Sequence, residues 1–114
     1  MEAELVLLRD VQMAHLISLG GWLRAFQIAC GALKQNFDAD NAKDVIRIDV
    51  IDYFNVEMET IEVDKLSKEK IENLAKDLKT LRPMMDPKKN GKHTRAQIDE
   101  LLRFLNVTLL KLWQ

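Results

Sequence analysis

Apolar residues recur along most of this 114-residue chain with the three-and-four spacing of a helix. The longest such stretch comes first. Between residues 2 and 36, Leu5, Leu8, Leu19, Phe26 and Leu33 share one side of a helical wheel, while Arg9, Gln27 and Lys34 share another, with Arg24 close by. Gly20–Gly21 interrupts this stretch, and each glycine costs about 1 kcal/mol against alanine in a helix interior. Propensity alone therefore expects a break. Phase argues the other way, because both stripes continue unchanged through the glycine pair. The spacing predicts one long first helix, continuous or kinked.

Two apolar stripes run along that helix. Ala14, Ser18, Gly21, Ala25, Ala29 and Ala32 form a narrow seam of small residues, beside a bulky face of Leu19, Trp22, Phe26, Cys30 and Leu33. Small side chains let a second helix come closer than the usual 8–10 Å. The expected neighbour on the seam is the last helix of the chain, with a homodimer as the functional alternative.

After this helix, Asp38, Asp40 or Asn41 is placed to cap a new first turn. The next stretch is ambiguous. Ile46, Ile48 and Val50 alternate with Arg47 and Asp49 as in a strand, whereas Ile51, Phe54, Met58 and Ile61 follow helical spacing. The intervening Asp52–Asn55 lacks a glycine or another strong hairpin signal. Helix is the reading; a β-hairpin at residues 45–63, giving an α+β fold, is the alternative. Ser67 is expected to cap a helix carrying Ile71, Leu74, Ala75, Leu78 and Leu81. That helix is expected to end at Arg82, because Pro83 disfavours helical geometry before it. Residues 83–93 read as a loop, and Thr94 with Gln97 forms a capping box. The last helix carries Ile98, Leu101, Leu102, Leu105, Leu109 and Leu112. Phe104, Val107 and Leu110 widen its apolar arc, so it should be covered on more than one side. The whole is an all-α helical bundle of about four helices, in one domain spanning residues 1–114.

Composition supports this picture. Apolar residues make up 47% and charged residues 31%, proportions of a folded chain. Net charge is −1 but unevenly spread: residues 1–64 hold 5 basic and 12 acidic side chains, and residues 65–114 hold 12 and 6. Two halves facing each other, within one bundle or in a dimer, account for that split more simply than a nucleic-acid surface. The basic segment has no interleaved aromatics to stack bases, and the loop after it is too long for a helix-turn-helix. The single cysteine forms no internal disulfide and reads as a small buried hydrophobe. The first ten residues lack the pattern of a secretory signal, and localisation is left open.

Candidate chemistry is sparse. His15 lies on the bulky face without a second ligand at helical spacing, so it reads as a core-edge histidine, and no metal site is expected. His93 falls in a polar loop and is expected to be exposed. Asp49, Asp52, Glu57, Glu59 and Glu62 read as a solvated acidic surface rather than paired catalytic acids. Neither a phosphate loop nor a nucleophile elbow is present, so the chain leans away from enzymes, and no cofactor is implied. A Lys-rich loop before a helix start, residues 88–93, gives weak grounds for an anion site. Residues 13–33 match a bilayer in length, but Arg24 at its centre and the polar edge around it argue against a spanning helix.

The functional expectation is a small interaction or structural module with a protein partner or itself, as a homodimer. The second reading is a bundle that takes an apolar molecule or haem beside the first helix. The candidate contact residues for either are His15, Gly21, Trp22, Ala25, Phe26 and Ala29.

Overall fold

Five helices account for nearly all of the described residues. The computed structural model describes residues 2–61 and 68–112, with side chains from Met13 onward. The helices are α1 (Glu2–Gln35), α2 (Ala39–Val45), α3 (Ile48–Thr60), α4 (Lys68–Met84) and α5 (Arg95–Leu112). The fold is all-α. Among the described residues the only β-type pairing is a bridge between Lys89 and Lys92.

The glycine pair does not break α1, which runs unbroken through both positions. At 1.5 Å per residue a helix of 34 residues is about 51 Å long, and the molecule measures 53 Å along its longest axis. Packing rather than propensity holds it straight. Leu19 and Leu23 before and after the pair, then Phe26, Cys30 and Leu33, are all buried. A turn at residues 20–21 would pull one half of that stripe off the core.

Neighbouring helices run antiparallel. Lys34 of α1 meets Asp99 of α5 at 2.9 Å, and Gln27 donates to Asn106 at 2.6 Å, so α5 retraces the second half of α1. Arg82 of α4 meets Asp52 of α3 at 2.8 Å, and Lys111 of α5 meets Asp77 of α4 at 3.2 Å. One hydrophobic cluster draws buried residues from all five helices, among them Leu19, Ala42, Ile51, Leu78 and Leu105. Helix α3 resolves the ambiguous stretch. Ile51, Phe54 and Met58 are its buried residues, so the helical 3-4 spacing governs and no hairpin forms.

The caps behave as chemistry predicts in two places. Asp38 accepts from the backbone N–H of Asp40 at 2.8 Å and starts α2. Thr94 and Gln97 exchange their reciprocal bonds at 3.1 and 3.4 Å and start α5. The expected Ser67 cap lies outside the described residues. Helix α4 continues past Arg82 to Met84, with Pro83 inside its last turn. A proline so near the end removes only one donor, and carbonyls at the helix end find partners beyond it. Met85 N–H bonds Arg82, Asp86 N–H bonds Pro83, and Lys88 Nζ also reaches Pro83.

The α4–α5 connection is held from inside. Asn90 and Gly91 both adopt positive φ, 53° and 73°, the pairing that a tight two-residue turn requires and that Asn-Gly supplies. His93, expected in solvent, is buried with its Nε2 at 2.9 Å from the Met85 carbonyl. Folding back of the turn brings it there, since the loop closes over the end of α4. Gln97 is buried beside it and donates to the carbonyls of Met84 and Asp86.

Candidate functional site

Helix α5 does not occupy the small-residue seam. It packs instead on the bulky face, where Leu19, Leu23, Phe26, Cys30 and Leu33 are buried. The reason is area. Burying a Leu or Phe side chain is worth roughly 1.5–3 kcal/mol, and alanine or glycine offers far less. Hydrophobic burial therefore turned the bulky stripe inward and left the seam outward. Ala14, Ser18, Gly21, Ala25 and Ala32 are exposed, with Ala29 half-buried at the margin.

Large apolar side chains stand along the same open side. Met13 is 54% exposed, Ile17 68% and Ile28 62%. With Gly21 and Arg24 they fall at positions 13, 17, 21, 24 and 28, one stripe at helical spacings of four, four, three and four. Arg24 donates to Gln27 at 3.1 Å, and Gln27 in turn reaches Asn106 of α5. That small network marks the border between the open face and the α1–α5 groove. A Cβ added at Gly20, Gly21 or Gly31 would meet nothing within 4 Å, so no neighbour inside the molecule calls for glycine there. Gly20→Ala should accordingly raise stability by about 1 kcal/mol, read from the midpoint of urea unfolding. A loss of stability would show that the backbone there is not ordinary helix.

The six candidate residues divide three ways. Gly21 and Ala25 lie on the open face, with Ala29 at its edge. Phe26 is buried in the core. Trp22 and His15 sit where α1 meets α3. Trp22 stacks on Phe26 at 5.4 Å between ring centroids and leans on Phe54 at 5.6 Å. His15 Nδ1 lies 3.2 Å from Glu57 Oε2, which satisfies the ring at the core edge. Sequence reading missed Met13, Ile17 and Ile28 as surface residues. Their signal was available in the 13–17–21–24–28 spacing, but the small residues beside them drew the seam one step round the helix.

Apolar side chains are exposed on other helices as well. Val107 and Leu110 of α5 are open to solvent, contrary to the expected double coverage of that helix, because α1 and α4 flank only its buried side. Tyr53 and Val56 stand on the outside of α3.

Several titratable groups are engaged in ion pairs. Asp99 is held below the usual carboxylate range, first by its hydrogen bond to Lys34 and then by Arg103. Asp49 is lowered by its hydrogen bond to Arg47, at 3.0 and 2.8 Å. Arg82, bonded to Asp86 and Asp52, is raised. Among the described residues no group of three or more His, Cys, Asp or Glu is placed to hold a metal ion. In the Lys-rich loop, Lys88 Nζ donates to the Pro83 carbonyl, and Lys89 and Lys92 pair through their backbones.

Cys30 has no exposure, and burial pushes its thiol up to about 12 from 9.0. The folded chain thus keeps a proton that the unfolded chain releases above pH 9. Stability should fall as pH rises from about 9 towards 12, a trend that Cys30→Ala would flatten in denaturant titrations at several pH values. An equal slope in both proteins would remove Cys30 as its source.

The segment Met13–Gln35 is long and apolar enough to cross a membrane by length and composition. Its inner side, however, is packed on α5, and Lys34 is paired with Asp99. Spanning would carry such charged groups towards the bilayer, at roughly 2.5–3.5 kcal/mol for each one at its centre.

The architecture defines the class: a small antiparallel helical bundle with one long helix that is apolar on two sides. No family model matches the chain, and no curated protein or solved structure is significantly similar to it.

Proposed function

We propose that this chain is a helical interaction module that self-associates through the open face of α1. One observation carries the reading: Met13, Ile17 and Ile28 are exposed on a face whose glycines serve no packing inside the molecule. Contiguous apolar surface rimmed by polar residues is what association faces have in common. Small residues beside those anchors suit a helix lying close along α1.

Light scattering from low to high micromolar concentration tests it. The wild-type mass should rise towards a dimer, and Ile17→Glu should hold the chain monomeric. Because Ile17 is already in solvent, the substitution should change monomer stability by less than about 0.5 kcal/mol. A wild-type mass that stays monomeric throughout, or an Ile17→Glu protein that associates like wild type, overturns the reading. The competing reading, an apolar molecule or haem beside His15, Trp22 and Phe26, has less support. Those side chains are engaged with one another, with Phe54 and with Glu57.

A further inference from the structure

We infer that the self-association is a crossed two-fold dimer, in which the open face of α1 in each copy takes the outer face of α3 from the other. This rests on the self-association reading and supplies the partner surface. Five of the seven large apolar side chains exposed among the described residues lie on these two helices. They are Met13, Ile17 and Ile28 on α1, and Tyr53 and Val56 on α3. The helices are neighbours, through Trp22 with Phe54 and His15 with Glu57. Those two contacts run α3 antiparallel beside α1, so the outer faces form one layer.

Charge selects which half of that layer meets which. Met13–Gln35 carries Arg24 and Lys34 and no carboxylate, whereas α3 carries Asp49, Asp52, Glu57 and Glu59 and no Lys or Arg. Even with Arg47 and Arg82 bonded to Asp49 and Asp52, α3 keeps an excess of acid. Two two-fold arrangements bring such a layer against its copy. One stacks α1 on α1 and α3 on α3, so that an acidic helix faces an acidic helix. The crossed one sets a basic face on an acidic face at both contacts, which is attractive twice over.

The residues meet in register. Read along the two α1–α3 contacts, Ile17 is level with Val56, Gly21 with Tyr53, and Arg24 with the first turn of α3. A two-fold axis running along the helices keeps those levels, so Val56 of one copy lies on Ile17 of the other. Tyr53 comes onto Gly21, where an added Cβ would meet nothing within 4 Å and a ring has room. Its own ring already rests edge-on against Phe54, at 5.3 Å between centroids, which makes it a pre-set anchor. At the rim, Arg24 lies on the α5 side of its face, bonded through Gln27 to Asn106. Asp52 lies on the α4 side of its own, bonded to Arg82. The crossing brings these two edges together and sets Arg24 beside Asp52. A guanidinium has five N–H donors and a carboxylate several acceptor sites, so both keep their internal bonds.

A paired substitution in the full chain tests the crossing, read by light scattering. Ile17→Glu and Val56→Arg should each weaken association about 10–100-fold, because each puts a charge into both contacts. Mixed in equal amounts they should restore it. One contact of the mixed dimer is then wild type, and the other sets Glu against Arg. Disulfide trapping reads the register, since the bond needs Cα atoms within about 7 Å. Ile17→Cys mixed with Val56→Cys should link efficiently under mild oxidation, and neither should link to itself. Cys30 is buried and stays out of the exchange. Ile17 and Val56 are both exposed, and circular dichroism checks that every variant stays helical. A Val56→Arg protein that associates like wild type, or a mixture without rescue, overturns the crossed pairing and leaves self-association through α1 standing. A wild-type chain that remains monomeric overturns both, and its flotation with phosphatidylserine vesicles would assign the α1 face to lipid.

Discussion

Phe26→Ala is expected to destabilise the fold by about 3–5 kcal/mol, the range for removing a buried aromatic ring. Phe26 is 3% exposed and carries the stacked Trp22 ring, which leans in turn on Phe54. Its loss opens a space between α1 and α3 that neither helix can close without losing other contacts. Urea unfolding followed by circular dichroism would show the midpoint move, and Trp22 emission would shift as its stacking partner disappears. The result separates two roles for the residue. As part of a ligand pocket, Phe26 could be removed with little effect on the empty chain. A loss below about 1 kcal/mol would therefore overturn its assignment to the core and revive the pocket reading.

Gln97→Ala should have an effect of similar size by a different route. Its side chain caps Thr94, and it donates to the carbonyls of Met84 and Asp86. It is the polar peg between the end of α4 and the start of α5. Alanine would leave these groups short of partners, at about 1–3 kcal/mol for each buried group left unpaired. Gln97→Glu is the informative companion, since it keeps the acceptor and loses the donor. We expect the glutamate variant to retain the cap to Thr94 while losing both carbonyl contacts, and to fall between wild type and alanine in thermal unfolding. Equal stability of all three proteins would show that water replaces the peg without penalty.

Helical phase was the most legible signal in the chain. It carried α1 through Gly20–Gly21 against propensity, and it selected helix over hairpin at Ile51, Phe54 and Met58. Both are cases in which burial along a whole stripe outweighs a local preference. The Thr94–Gln97 box was equally readable, because its bonds join residues three apart. The readings that failed are ones that depend on a distant partner. Which of two apolar faces of α1 would turn inward depended on the area each could bury against α5. The seam of Ala and Gly is visible as a pattern, but a pattern does not say whether a neighbour comes from the same molecule. His93 looked exposed because its sequence neighbours are polar, while its burial depends on the turn at Asn90–Gly91 folding back over α4. Among the candidate contact residues, Gly21 and Ala25 reached the surface, and Phe26 went to the core.

The pairing of α1 with α5 joins segments far apart along the chain, as in the bond between Gln27 and Asn106, 79 residues away. Helices α3, α4 and α5 meet through much shorter separations, such as Asp52 with Arg82 at 30 and Asp77 with Lys111 at 34. Closing a longer loop takes more entropy, though the increase is only logarithmic. On loop entropy alone, docking α1 on α5 is the costliest closure in the fold. Where α1 is undocked, its bulky face and the side of α5 that it covers are both exposed. The long helix then has two sticky sides, and a second chain competes with its own core for the first of them.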